Sequence, residues 1–233
     1  MKRKSRLPML NDLRIEIKKN KRKTASIYIE RDGSVSVYVP EHLSDDEVNG
    51  LVESRKYQIY KNLAKWQLLN ESKVEREAVN GESFLYLGRT YYLQFSSEVK
   101  TIELRDNHFL VTEGKRDQLA ELFKEFYRER GKEYLPKRVA YFGEKMGLRP
   151  EEVSVLELKN RWASCSAKRP KLNFHWKVMM APLTVVDYLI VHELAHLKFA
   201  KHDAPFWNEV DKVMPDYEKQ KEWLKSFGAS LAV

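Results

Sequence analysis

Between Pro182 and His202 the chain is committed to one local structure and one kind of chemistry. Val185, Val186, Leu189, Ile190 and Val191 recur at helical spacing, so the segment reads as a buried apolar helix. On that helix stands His192-Glu193-Leu194-Ala195-His196, the pattern H-E-x-x-H. Residues four apart differ by ~40° around an α-helix, so both imidazoles can point at one ion. Glu193 lies one step round from His192. There its carboxylate can reach an ion-bound water without binding the ion, the placement of a general base.

His202 follows six residues after His196. On an uninterrupted helix that spacing leaves it ~240° away, facing elsewhere. The helix must therefore break first, and the sequence supplies the break. Pro205 cannot occupy a helix interior and disfavours helical geometry at Ala204. Asp203 is a good N-cap, which puts Pro205 in the first turn of a new helix. His202 then falls in the turn between two helices, from which it can fold back. Metzincin proteases share this His spacing but carry Gly three residues after the second His; Phe199 stands there in this chain. Three neutral imidazoles and one water make an open tetrahedral zinc site of the catalytic kind. Such an ion lowers the water's pKa and polarises a carbonyl or phosphoryl oxygen.

Composition narrows the class. Of 233 residues, 42% are hydrophobic and 33% charged, which excludes a mainly disordered chain. No apolar run reaches the ~20 residues of a membrane span. After the basic start Met1–Arg6, the segment from Leu7 is too short and polar for a signal-peptide core. A single cysteine, Cys165, excludes an internal disulfide and fits a reducing compartment, so a cytoplasmic location is expected. The net charge is +8, and residues 1–40 hold eleven Lys/Arg against four Asp/Glu, a difference of +7. Any contact with phosphates belongs to that end.

The first forty residues alternate as strands do: Leu13–Ile17, Ile27–Ile29 and Val35–Val39. Asp32-Gly33 joins the last two as a hairpin, and Lys18–Lys23 is expected to be a loop. Ser44 and Glu47 form a capping box opening a helix to about Glu71. Residues 84–111 read as strands. Helices follow from Arg116, with Pro136 expected in the first turn of a second one ending near Gly147. Strands at Val153–Leu158 and Lys171–Lys177 precede helices over Pro182–Ala200, from Ala204, and over Glu218–Phe227. The expectation is an α+β chain: a basic, β-rich part with one long helix over residues 1–115, and an α+β catalytic part over 116–233.

The C-terminal block resembles the YgjP-like metallopeptidase family, a group of metal-dependent hydrolases related to WLM and SprT-like proteases. The resemblance rests on Asn160-Arg161-Trp162-Ala163-Ser164-Cys165-Ser166, Leu172-Asn173, Pro182, Asp187–Leu197, and His202 with Phe206-Trp207. Pro215-Asp216-Tyr217 and Trp223-Leu224 complete it. It is specific over about residues 120–225 and looser over the N-terminal strands. Ala163 departs from the family's usual Gly. The resemblance implies a zincin-like core, a metal held by His192, His196 and His202, a catalytic Glu193, and a peptidase or hydrolase activity without fixing the substrate; a protein or peptide substrate is the leading expectation.

Other residues are candidates for supporting roles. Arg161 can hold a substrate carboxylate or stabilise an oxyanion, or form a structural ion pair. Tyr217 can donate to a transition-state oxygen, or simply pack. Asp187 can orient a partner of the metal ligands, and Phe206 and Trp207 can wall the site. The leading expectation is a zinc metallopeptidase. The alternatives are a metal-dependent nucleotide or phosphoanhydride hydrolase and a DNA-associated binding module, either of which can use the basic N-terminal part.

Overall fold

The computed structural model describes residues 9–10, 13–29, 34–70, 75–158 and 161–233. It divides into two compact units, Met1–Glu71 and Ser72–Val233. No helix among the described residues is long and apolar enough to cross a membrane.

The first unit comprises β1 (Met9–Leu10), β2 (Leu13–Asn20), β3 (Ser26–Ile29), β4 (Val35–Pro40), α1 (Asp45–Ser54) and α2 (Lys56–Asn70). The sheet order is β1-β2-β4-β3, with β4 parallel to β2 and antiparallel to β3. Period-two alternation puts Ile15, Val35, Val37 and Val39 on one face, buried with Val48, Val52 and Ile59 of the helices. The α1 N-terminus is the capping box read from the sequence. The Ser44 hydroxyl accepts the Glu47 N–H at 3.3 Å, and the Glu47 carboxylate accepts the Ser44 N–H at 2.8 Å. Two expectations are corrected here. Lys18, Lys19 and Asn20 belong to β2 rather than to a loop, because β4 offers them pairing partners through Pro40. The long helix is two, separated at Arg55. The expected Asp32-Gly33 turn lies outside the described residues.

The second unit begins with β5 (Ser83–Tyr86), β6 (Arg89–Ser96), β7 (Ile102–Arg105) and β8 (His108–Thr112), in sheet order β5-β6-β8-β7. Then come α3 (Leu119–Met146), β9 (Glu152–Leu156), β10 (Ala163–Ser166) and β11 (Lys171–His175). Strand β11 lies between β10, antiparallel to it, and β9, parallel. A 3-10 turn over Trp176–Met180 leads into α4 (Leu183–Ala195), α5 (Ala204–Val213) and α6 (Tyr217–Phe227).

One apolar cluster runs through both sheets, α3 and α4. Phe84 stacks on Phe123 at 4.1 Å between centroids, and Phe109 meets Phe123 edge-on at 4.8 Å. The Tyr127 hydroxyl donates to the Leu85 carbonyl at 2.5 Å. These contacts explain why the division falls at Glu71/Ser72 rather than near residue 115: strands β5–β8 share their core with the helices that follow.

Helix α3 runs unbroken through Pro136, against the expectation of a second start there. The proline leaves the Lys132 carbonyl without its helical partner. Both residues lie on the exposed side, where water can satisfy that carbonyl. The helix ends at Gly147, which takes the left-handed conformation at φ 63°.

Two attachments position α4. Gly88, at φ 78°, lets the β5–β6 turn lie against its start: a Cβ there would stand 2.7 Å from the Pro182 Cα. Arg138 of α3 donates from Nε and Nη2 to the two Asp187 carboxylate oxygens, both at 2.6 Å. Asp187 is buried, and this pair satisfies its charge within the protein.

Candidate metal centre

Helix α4 is apolar on nearly every side and is buried from Val185 to Val191. His192 and Glu193 occupy its last turn, and His196 caps it. The helix therefore stops at Ala195, one turn short of the expected Ala200. The Phe199 N–H still bonds back to the Ala195 carbonyl at 2.9 Å, curling the chain into a turn. Asp203 then caps α5 through its side chain, with Pro205 in the first turn, as the sequence requires.

That turn brings His202 back. Its Nε2 lies 3.0 Å from the Nε2 of His196 and 3.0 Å from the Nε2 of His192. Among the described residues, these three are the His/Cys/Asp/Glu group whose geometry can hold an ion.

The rings suit a cation. His196 Nδ1 faces the Phe199 carbonyl at 2.9 Å, so this nitrogen carries the proton and Nε2 presents its lone pair to the centre. Burial, then the neighbouring His196 and His202, pushes His192 down to about 3 and keeps it neutral. His202 is lowered by burial and by His196. Lone pairs converging at 3.0 Å repel unless a proton or a cation lies between them. A tetrahedral zinc with Zn–N bonds of about 2.0–2.1 Å spaces its ligands by about 3.3–3.4 Å, so the two contacts to His202 need open only by tenths of an ångström. His192 Nδ1 is buried without a hydrogen-bond partner among the described residues.

Aromatic side chains brace the group. The Phe206 ring lies 4.6–4.9 Å from each of the three imidazoles. Trp207 stacks on His202, and its Nε1 donates to the His202 carbonyl at 3.2 Å. Tyr188, one turn before His192, has its ring 5.7 Å from that imidazole.

Beside the rings lies a cleft of about 480 Å³, walled by β10 on one side and by His192, Glu193, His196 and His202 on the other. Glu193 is buried there, and burial pushes its carboxyl up to about 7 against the opposing pull of the Arg161 charge. Arg161 lines the same cleft. Cys165 also lines it; burial, then the Glu193 charge, raises its thiol to about 11, so it is a poor nucleophile. Tyr217 is not part of this wall. Its ring stacks on Trp207 at 5.0 Å and braces the ring that braces His202.

Sequence reasoning did not find the His175 network. His175 is fully buried, accepts the Lys177 N–H on Nδ1 at 3.0 Å, and faces Glu157 through Nε2 at 3.1 Å. Trp176 Nε1 donates to the other Glu157 oxygen at 2.7 Å. The only local signal was a histidine ending an apolar strand. Asn160 lies outside the described residues.

A family model described as YgjP-like, metallopeptidase domain, matches residues 23–227. Among solved structures, the metallopeptidase zymogen of Pyrococcus abyssi abylysin is similar at 24% identity and a TM-score of 0.39, over 42% of this chain and 98% of that one. No curated protein matches the sequence.

Proposed function

The chain belongs to the YgjP-like metallopeptidase family, and from that premise we propose a zinc-dependent peptidase with His192, His196 and His202 as ligands and Glu193 as general base. One observation carries the reading: three Nε2 atoms converge within a single cleft that also contains a buried carboxylate. Imidazole nitrogens in a closed trio favour zinc over the harder divalent ions. When bound, the ion supplies a Lewis acid for the attacking water and for the scissile carbonyl oxygen.

The remaining work falls to side chains. Glu193 takes a proton from the attacking water and delivers it to the leaving amine. A basicity raised by burial suits both halves of that task near neutral pH. The Arg161 charge opposes that rise and favours the ionised carboxylate that accepts the proton. Arg161 also supplies charge toward a substrate carboxylate or a developing oxyanion in the same cleft.

The test combines metal analysis with cleavage of an unfolded protein substrate. Wild type purified without chelators is expected to carry about one zinc per chain and to cleave. Glu193→Gln should keep the zinc and lose cleavage by several orders of magnitude. His202→Ala should lose both. Release of phosphate from nucleotides with the same Glu193 dependence, and no cleaved peptide, would overturn the peptide-bond assignment.

A further inference from the structure

The sheet of the first unit has a second face, opposite the one packed on its helices; among the described residues Tyr28 is exposed there, while Ser36 is buried. The parity that buries Ile15, Val35, Val37 and Val39 sends Glu16, Lys18, Ser36, Tyr38, Ser26 and Tyr28 the other way. Lys18 lies opposite Tyr38, Tyr38 opposite Ser26, and Ser36 opposite Tyr28. Two tyrosines therefore meet diagonally across β3 and β4, edge to face, with centroids 5.5 Å apart. Tyr28 is 45% exposed although it stands on a strand, not in a loop.

Cations surround this pair. Lys18 Nζ stands 5.4 Å from the Tyr38 centroid and the Arg22 guanidinium 5.7 Å from it. Arg22 is tied down by a bond from Nη2 to the Ser26 hydroxyl at 2.7 Å, and Lys18 donates to the Ser36 hydroxyl at 3.3 Å. Exposed Lys21 and Lys23 flank Arg22 in the connection to β3. Among the described residues of this face, Glu16 is a carboxylate, 2.7 Å from Lys18.

We propose that this face binds single-stranded nucleic acid, with a base stacked on Tyr28 and the backbone phosphates running along Lys18, Arg22 and the lysines beside it. The ligand class follows from two features that only one chemistry uses together. An exposed aromatic ring on a sheet, here Tyr28, takes a planar group, and a fringe of cations takes a polyanion. An acidic peptide would use the charges and leave the rings idle. A duplex presents phosphates but keeps its bases stacked inside. A lipid surface would call for protruding aliphatic residues, whereas serines, cations and a carboxylate surround these rings. The charge count agrees, since residues 1–40 carry a net +7 from eleven Lys/Arg and four Asp/Glu. The proposal is independent of the metal centre, so Glu193→Gln should leave it unaffected.

The experiment uses the full chain and fluorescence anisotropy with labelled dT20, labelled U20 and a 20-base-pair duplex, at about 50 mM salt. Binding of a single strand in preference to the duplex is expected. Tyr28→Ala should weaken it by roughly 5- to 100-fold, and Tyr28→Phe, which keeps the ring, should restore it. Arg22→Gln should weaken binding and reduce the slope of log K against log salt by about one. A readout that needs no variant is photocrosslinking of wild type to a strand containing 4-thiothymidine, with adducts expected on Tyr28 or Tyr38. The proposal fails if no strand binds at low salt, if the duplex binds as well, or if Tyr28→Ala binds as wild type does. It also fails if the adducts lie only elsewhere, or if anionic vesicles bind in a Tyr28-dependent way while dT20 and U20 do not.

Discussion

Of the three proposed ligands, His202 depends most on its neighbours, because it comes from a turn and not from a helix. Trp207 holds it twice, by stacking on the ring and by donating to its carbonyl. Trp207→Phe keeps most of the stacking and deletes the donor. Residues that support a metal ligand are commonly worth 10- to 100-fold in affinity, and this bond is exposed, so a loss of about tenfold is expected. Competition with a chromogenic chelator measures it; unchanged affinity would mean that stacking alone sets the ring. Deeper in the molecule, Asp187 depends wholly on Arg138. Removing one partner of a buried pair costs about 3–5 kcal/mol, reduced to about 2–3 kcal/mol here because a third of the arginine side chain is exposed. Arg138→Ala should lower the urea midpoint accordingly, and adding Asp187→Asn to it should recover part of the loss by removing the unpaired buried charge. The three histidines were legible because helical spacing and one proline fix their directions. The Arg138–Asp187 pair was not, since its members stand forty-nine residues apart and no local rule joins them.

At the scale of elements, capping and turn chemistry transferred from sequence to structure better than length did. The capping box at Ser44 and the N-cap at Asp203 were readable because a side chain reaching its own backbone is a local event. The extent of β2 was not, because a lysine-rich run becomes strand only when a neighbour such as β4 offers it a ladder. Likewise, Pro136 stays inside α3 because packing of Leu135 and Val139 outweighs one lost hydrogen bond on the wet side. The cap at Ser44 can be tested directly. Ser44→Ala is expected to cost about 1 kcal/mol and to speed amide exchange in the first turn of α1. Acid should mimic it. Bonds from the Ser44 backbone and hydroxyl hold the Glu47 carboxyl below its ordinary pKa. Their stabilisation is therefore complete above the ordinary carboxylate range and disappears as pH falls through the depressed value. Hydrogen exchange followed down that range should show α1 of wild type loosening while Ser44→Ala changes little.

Across the whole molecule, the unit that carries the proposed site is larger than its motif suggests. Chemistry-bearing residues all lie beyond Arg161, which invites a division near residue 115, yet Phe84 and Phe109 are fully buried against Phe123. A chain beginning at residue 116 would leave Phe123, Phe126 and Tyr127 facing water where β5, β6 and β8 had covered them. Losing the partners of a buried aromatic costs about 3–5 kcal/mol per side chain, so three such losses approach the 5–15 kcal/mol that holds a whole domain together. That chain is expected to lack a cooperative urea transition and near-ultraviolet ellipticity, and to bind zinc weakly despite keeping all three histidines. A chain beginning at residue 75 keeps the full apolar cluster and should retain both the transition and the metal. The two outcomes separate what makes the site from what marks it. If 116–233 folds cooperatively and holds zinc as tightly as 75–233, the rings need only their own helices, and the strands before α3 serve some other end.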